Sequence, residues 1–167
     1  MKRFKKGRSI MTEEKFLWAY EEFRKTVYSV IYSYVRNTDD ASELSQDTFI
    51  KLYTYDGDFF SDEHMKAWLI RVAINNCNNH FRNQKHISAS PIPDDLPSDE
   101  EPEFDEIICE VMKLPEKYRI PIHLFYYEEY SISEIANILE LPEATVKTRL
   151  KRGRDKLKKT LRKEDWL

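Results

Sequence analysis

The chain has 167 residues, of which 41% are apolar and 34% charged, with 3 glycines, a composition typical of one or two small globular domains. Its formal net charge of -3 does not by itself indicate a nucleic-acid binder, and no apolar run approaches membrane-spanning length. The basic N-terminal residues lead into a polar stretch, so they do not predict a signal peptide. Cys77 and Cys109 lack the spacing of a disulfide framework, so we expect two reduced, buried thiols in a cytoplasmic protein.

Three helices are predicted in the first half of the chain, because apolar side chains recur there at helical spacing. A loose basic arm and these three helices cover residues 1–14, 15–36, 40–53 and 64–84. The break at Asn37–Asp39 offers caps for the second helix. The sequence therefore predicts a helical domain over residues 15–86.

The charge of the chain is strongly segregated. Residues 87–110 contain many acids but no Lys or Arg. Several Pro and Ser residues interrupt helical periodicity there, so residues 87–106 are predicted to be a flexible acidic linker. Helices resume near Phe104 and continue through a second domain at residues 107–167. The predicted fold class is all-α, with two small helical domains on a flexible tether and no β pattern.

The C-terminal segment from Ser131 to Lys163 has the pattern of a helix-turn-helix. Ser131 and Glu134 form a predicted capping box that starts a short apolar helix, and Pro142 suits the first turn of the next helix. That second helix keeps a narrow apolar stripe, and cations cover most of its remaining surface, with Asp155 opposing them. This order suits a helix that enters the major groove of DNA. The alternative is an ordinary solvated face, although such faces usually interleave both signs.

The third predicted helix presents a second unusual surface. Asn75, Asn78, Asn79 and Arg82 share one face, and no acid occurs between residues 63 and 94. Asn is a poor helix former, but its amide both donates and accepts hydrogen bonds and so suits phosphates and base edges. Three aromatic side chains offer platforms for unstacked bases, with core packing as the alternative, strongest for the last of them: Phe59, Phe60 and Trp68.

The outward side of the second helix carries a cluster of mostly acidic and polar side chains. Its members are Asp40, Glu43, Gln46, Asp47 and Lys51. This surface is poorly suited to a polyanion and would fit a basic protein partner, although it is equally an ordinary solvated face. The positions predicted to point inward are Ala41, Leu44, Thr48, Phe49 and Leu52.

Four blocks of the sequence occur in a characteristic order. They are DDASELSQDTFIKLY (39–53), AWLIRVAINNCNNHFR (67–82), LPEKYR (114–119) and SISEIANILELPEATVKTRLKRGRDKL (131–157). With an acidic linker between the second and third blocks, the chain resembles the extracytoplasmic-function class of bacterial sigma-70-type transcription initiation factors. The resemblance extends from about residue 15 to about residue 162.

The resemblance implies three binding surfaces. The second helix would dock on the coiled coil of the polymerase β′ subunit through Asp40, Glu43, Leu44, Gln46, Asp47, Phe49 and Lys51. The third helix and the loop before it would hold the opened minus-10 promoter element through Phe59, Phe60, Trp68, Asn75, Asn78, Asn79 and Arg82. The last helix would enter the major groove at the minus-35 element through Thr145, Lys147, Thr148, Arg149, Lys151, Arg152 and Arg154.

The partners that the resemblance implies are core RNA polymerase (its β′ coiled coil and β flap), promoter DNA and an anti-sigma protein that covers the same surfaces. The acidic linker would thread toward the RNA-exit path. No cofactor, metal, small-molecule substrate, catalytic activity or direct membrane insertion is expected.

The chain departs from the family pattern at four positions. Glu140 stands in the turn where Gly is usual, so that turn is expected to be less tight or to use another conformation. Gly153 replaces a usual Ala and is expected to weaken an exposed stretch of the last helix by about 0.5–1 kcal/mol. Ile74 and Asn79 stand at positions where Arg and Asp are common in the family, so the sequence does not indicate which promoter bases are recognised.

Two other functions compete with promoter recognition. An autonomous helix-turn-helix regulator would bind operator DNA without polymerase, usually as a dimer, but no dimer seam is evident. An enzyme acting on nucleic acid would need carboxylates or a nucleophile among the cations, whereas the acids lie in the linker and the second helix. Cys77 and His80 could in principle share a metal ion, but no second pair of ligands with suitable spacing follows, so a structural metal site is not expected.

Overall fold

The computed structural model describes residues 11–84 and 106–164. Within these two ranges it contains seven α-helices and no strand, which confirms the predicted all-α fold. The helices are α1 (Glu13–Val35), α2 (Thr38–Tyr53), α3 (Asp62–Gln84), α4 (Glu106–Lys113), α5 (Glu116–Tyr126), α6 (Ile132–Leu139) and α7 (Glu143–Glu164). Residues 1–10 of the predicted basic arm and residues 87–105 of the predicted acidic linker lie outside the described residues.

Helices α1, α2 and α3 pack into a three-helix bundle. Thr12 caps α1 by accepting a hydrogen bond from the backbone N–H of Lys15 at 3.2 Å, and Asn37 caps α2 in the same way from Asp40 at 2.9 Å. These helices and α3 begin slightly before the predicted starts, because caps and first turns are polar and lie outside the apolar periodicity. The largest fully buried side chains of the bundle are Ile31, Leu52, Met65, Leu69 and Ile70.

Helices α4 to α7 form a second unit in which α5 packs against α7. The predicted capping box starts α6: the Ser131 hydroxyl accepts from the backbone N–H of Glu134 at 3.3 Å, and the backbone N–H of Ser131 donates to the Glu134 carboxylate at 2.8 Å. Pro142 directly precedes α7, and its carbonyl accepts the first bonds of that helix. Helix α6 ends at Glu140, which adopts the left-handed conformation with φ 54 and ψ 45. The turn thus forces this glutamate into backbone geometry that glycine adopts readily.

Gly153 is buried, so the expectation of an exposed weak point in α7 is wrong. A Cβ atom at this position would lie 3.0 Å from Ile122 Cγ1 and 3.4 Å from Tyr118 Cβ, both on α5. The missing side chain therefore lets α5 and α7 cross closely. Local sequence did not reveal this, because charged residues flank the glycine on both sides.

The two units pack against each other, a contact that the prediction of two tethered domains did not include. Helix α5 lies against α1, and α6 lies against α3; we call these contacts the interdomain seam. His123 of α5 is fully buried there, with its Nε2 atom 3.3 Å from the Ser29 hydroxyl of α1. Backbone carbonyls supply many acceptors across the seam, and sequence patterns carry no signal for them.

Candidate nucleic-acid interface

The cationic surface of α7 is held outward by the packing of its opposite side. Val146 and Leu150 are buried against the second unit, and Gly153 brings α7 close to α5. The residues predicted to read the major groove are exposed at Lys147, Thr148, Lys151, Arg152 and Arg154, and half-buried at Thr145 and Arg149. No ion pair with another described residue neutralises these cations. Their charge is therefore available to an anion such as the DNA backbone.

Three of these side chains have partners within the chain, one of them being Arg152, which contacts the Tyr118 hydroxyl. The Thr148 hydroxyl donates to the carbonyl of Ala144 at 2.9 Å, so its proton is used inside the helix. Arg154 donates to the Tyr126 hydroxyl at 3.3 Å. Lys147 and Lys151, one helical turn apart, have no such partner among the described side chains and lie on one exposed face.

The asparagine surface of α3 is exposed as predicted. Asn75, Asn78, Asn79 and Arg82 all lie on the outside of the bundle. Asn76, between them, is buried instead and donates to the Thr48 hydroxyl at 3.0 Å. The sequence prediction missed this residue, although its spacing from the buried Leu69 and Ala73 places it on the core stripe.

An aromatic cluster connects the loop before α3 with that helix. Phe59 and Trp68 are half-buried with their ring centroids 5.5 Å apart, and Tyr55 lies 4.6 Å from Trp68. Phe60 is 92% exposed and stacks on His64 at 5.1 Å with an interplanar angle of 15°. Of the three predicted aromatic platforms, Phe60 alone presents a largely free ring, while Phe59 and Trp68 support the loop by packing.

The outer face of α2 presents Glu43, Gln46 and Asp47 to solvent. The other two members of the cluster have internal contacts: the Lys51 ammonium donates to the side-chain carbonyl of Asn76, and the Asp40 carboxylate lies 3.3 Å from His80 Nε2. Fewer side chains are therefore free to contact a docking partner than the resemblance assigns to this surface.

Two residues assigned by resemblance to the polymerase-docking surface are core residues. Leu44 is 6% exposed and Phe49 is 3% exposed. Phe49 also packs edge-on against Tyr20 of α1 at 4.9 Å between ring centroids. Their burial confirms the inward orientation that apolar spacing predicted, and their part in polymerase docking stays a prediction.

The cysteines differ from each other in a way the sequence did not predict. Cys77 is buried, and this burial raises the pKa of its thiol to about 12. Cys109 is exposed, so the expectation that it is a buried hydrophobe is wrong. Among the described residues, no group of three or more His, Cys, Asp and Glu side chains is placed to hold a metal ion.

Within residues 11–84 and 106–164, no helix has both the length and the apolar character needed to span a membrane. Residues 19–87 match the family Sigma-70 region 2, and residues 104–157 match Sigma-70, region 4.

Several characterised proteins are similar over most of the chain. The extracytoplasmic-function (ECF) RNA polymerase sigma factor SigW of Bacillus subtilis is 32% identical over 181 residues, which cover 97% of this chain and 95% of SigW. The RNA polymerase sigma-H factor of Pseudomonas aeruginosa is 29% identical and covers 84% of this chain and 82% of its own. The sigma factor RpoE, solved in complex with the anti-sigma factor NepR from Bartonella quintana, has a similar fold, with a TM-score of 0.71 at 19% identity over 89% of this chain and 98% of that chain.

Proposed function

Because the chain belongs to the ECF family of RNA polymerase sigma factors, which direct transcription initiation at specific promoters, we propose a separate role for each of its exposed polar surfaces. The α7 surface reads the minus-35 element, the α3 surface with Phe60 holds the opened minus-10 element, and the outer face of α2 docks on core RNA polymerase. The protein has no catalytic activity of its own in this proposal and acts in the cytoplasm.

Reading of the minus-35 element is assigned to the N-terminal half of α7. The supporting observation is the row of cations that make no ion pair with another described residue, on a helix whose other side is buried in a helix-turn-helix. Lys147 and Lys151 are exposed at the distance of one turn, where both reach into one groove. Arg149, Arg152 and Arg154 supply further contacts to phosphates or base edges. Since much of this binding is cationic, we expect it to weaken steeply with salt.

Capture of the minus-10 element is assigned to the asparagine surface of α3 and to the adjacent Phe60. Four exposed polar side chains without a carboxylate suit a polyanion, and the exposed Phe60 ring suits stacking with an unpaired base. Phe59 and Trp68 act by holding the loop that carries Phe60, because both pack within the aromatic cluster. Stacking offsets part of the cost of unpairing, a few kcal/mol for each flipped base.

Docking on polymerase is assigned to Glu43, Gln46 and Asp47, with Asp40 at the edge of the surface. Glu43, Gln46 and Asp47 are exposed, Asp40 is half-buried, and the negative charge of this surface suits a basic partner. Leu44 and Phe49 contribute indirectly, since they anchor α2 in the core and fix the direction of its outer face. An anti-sigma protein that covers these surfaces is the further partner that family membership suggests.

The assignment of α7 is tested by a double variant, Lys147→Ala with Lys151→Ala, assayed for transcription by core polymerase on a set of promoters with changed minus-35 bases. If these lysines read bases, the variant loses discrimination at those positions, by about 1–3 kcal/mol for each good contact. The matched control is Lys158→Ala with Lys159→Ala, which removes the same charge further along α7.

The same assay distinguishes recognition of DNA bases from non-specific attraction to the DNA phosphates. A uniform loss on all promoters, with a salt slope reduced by about 1 for each lysine, would assign these residues to phosphates instead. Unchanged promoter selection and unchanged salt slope would refute the role of α7. Binding of the double variant to core polymerase should equal that of the unaltered protein, because both lysines lie away from α2.

A further inference from the structure

The exposed ring of Phe60 is held by His64, a residue in the first turn of α3. Phe60 is 92% exposed, so most of its side chain has no packing partner. Its backbone N–H donates to Nδ1 of His64 at 3.2 Å, and the two rings stack with centroids 5.1 Å apart and an interplanar angle of 15°. The imidazole therefore restrains both the backbone and the ring of Phe60.

His64 is itself anchored at two points. Its backbone N–H donates to the hydroxyl of Ser61 at 3.1 Å, which is the bond that a serine makes when it caps the start of a helix. Its ring also meets the ring of Phe59 edge-on, with centroids 5.6 Å apart and an interplanar angle of 68°. Phe59 in turn packs against Trp68 within the aromatic cluster. The imidazole thus connects the exposed Phe60 to the fixed part of the loop and to α3.

The hydrogen bond to Phe60 requires one particular form of the His64 ring. Because Nδ1 accepts, the proton of the neutral ring must lie on Nε2. The Phe60 N–H precedes α3, so no carbonyl of that helix can accept from it, and Nδ1 of His64 supplies the acceptor instead. A side chain without an acceptor at this position would leave that N–H to water and the loop less restrained.

The charge beside the stacked rings disfavours phosphate at this point. Asp62 and Glu63 are exposed in the first turn of α3. Hydrogen bonds from its own backbone N–H and from the Ser61 hydroxyl lower the pKa of Glu63, so this carboxylate is ionised at neutral pH. Two carboxylates repel phosphates, whereas a base can stack on an aromatic ring. This pattern favours a base at Phe60, with phosphates at the asparagine surface that begins at Asn75, roughly 16 Å further along α3 at 1.5 Å per residue.

We propose that His64 is a positioning residue for capture of the minus-10 element: it presents the outer face of Phe60 to one unpaired base, which extends the two rings into a stack of three. This inference rests on the proposed function, since it concerns the ring assigned to that element. Because the ring of Phe60 is oriented before DNA arrives, binding does not have to order it, and the loss of side-chain freedom that would weaken binding is avoided. His64 acts through Phe60 and does not itself contact the base.

Three substitutions of His64 separate the role of its nitrogen from that of its ring. His64→Asn keeps an acceptor near the position of Nδ1 but removes the ring, His64→Phe keeps a ring but removes the acceptor, and His64→Leu removes both. Leucine and asparagine have nearly the same shape, and leucine is the better helix former. A loss in His64→Leu that His64→Asn partly restores therefore cannot come from a weakened α3.

The probe is a fork-junction DNA taken from a start site that the protein uses with core polymerase. Its unpaired minus-10 bases are replaced one at a time by 2-aminopurine, whose fluorescence falls when it stacks on an aromatic ring. Each variant is assembled with core polymerase, and affinity for the fork and fluorescence at each position are measured. Binding of the variants to core polymerase alone should be equal, because His64 lies outside the α2 surface.

We expect His64→Leu to weaken binding of the fork by about fivefold or more and to lose the fluorescence decrease at one position, with His64→Asn and His64→Phe in between. The effect of His64→Leu should disappear in a Phe60→Ala background, because His64 acts through that ring. Full affinity of His64→Leu, or an undiminished loss in the Phe60→Ala background, would overturn the proposal. Failure of the unaltered protein with polymerase to bind the fork would instead contradict the proposed minus-10 role.

Nuclear magnetic resonance of the full chain tests the same geometry without DNA or polymerase. The nitrogen spectrum of the neutral His64 ring should show its proton on Nε2. Hydrogen exchange of the Phe60 amide should be faster in His64→Leu and His64→Phe than in His64→Asn and the unaltered protein, because the first two lack the acceptor. A neutral ring with its proton on Nδ1, or equal exchange in all four proteins, would overturn the assignment of His64.

Discussion

The left-handed backbone at Glu140 predicts that glycine at this position stabilises the protein. Glu140 ends α6 with φ 54 and ψ 45, and both its own N–H and that of Leu141, at 2.9 Å, donate to the carbonyl of Ala136. These bonds fix the conformation, which costs a residue with a Cβ atom roughly 1–2 kcal/mol. Glycine avoids this cost but loses about 0.4–1 kcal/mol through the greater freedom of its unfolded chain. We therefore expect Glu140→Gly to raise the free energy of unfolding by about 0.5–1 kcal/mol, or the Tm by roughly 1–4 °C.

Urea unfolding followed by circular dichroism measures this difference. The control is Glu140→Ala, which removes the same carboxylate but keeps the Cβ atom and therefore the strain. Glu140→Asn should fall between the two, since Asn tolerates the left-handed region better than most residues. If Glu140→Gly is no more stable than Glu140→Ala, backbone strain does not limit the stability of this turn.

Three further predictions follow from the packing and the caps. Gly153→Val should destabilise the protein by about 1–3 kcal/mol in thermal unfolding, because a Cβ atom alone would already approach α5 side chains to 3.0 Å and valine adds further atoms there. Unaltered stability would contradict the close crossing of α5 and α7. A thiol reagent should label Cys109 at once and Cys77 only when the chain unfolds, since Cys77 is buried with a raised pKa; two fast thiols would refute this. The Ser131 hydroxyl donates to the Glu134 carboxylate and lowers its pKa below the ordinary 4.5. Ser131→Ala should therefore reduce the free energy of unfolding by about 1 kcal/mol at neutral pH, and by less as the pH falls through that lowered pKa. A reduction that does not depend on pH would exclude the carboxylate from the cap.

Helices and caps could be predicted from the sequence because their signals are local. Apolar spacing located α1, α2 and α3, and the Ser131 and Asn37 caps follow from residue type and position. The same spacing placed Leu44 and Phe49 in the core correctly, whereas the resemblance assigned them to the docking block without predicting their burial. A family pattern shows that a residue type recurs at a position, whereas burial shows whether that side chain packs in the core or faces a partner.

The features that could not be predicted depend on partners distant in sequence. Arg119 donates to carbonyls of α1, and backbone acceptors have no residue-type signature. Gly153 is buried by α5, which lies about 30 residues earlier in the chain. The seam as a whole combines such contacts, so a chain that reads as two tethered domains packs as one body.

Promoter-directed initiation is tested most directly by adding the protein to core RNA polymerase and mapping the transcripts made from genomic DNA. We expect initiation at a defined set of start sites that core polymerase alone does not use. We also expect the Glu43→Arg, Asp47→Arg variant to lose polymerase binding, while Glu22→Arg, which changes an exposed acid on α1, has no effect. Absence of polymerase binding at low salt, or start sites identical to those of core polymerase alone, would contradict promoter-directed initiation by this protein.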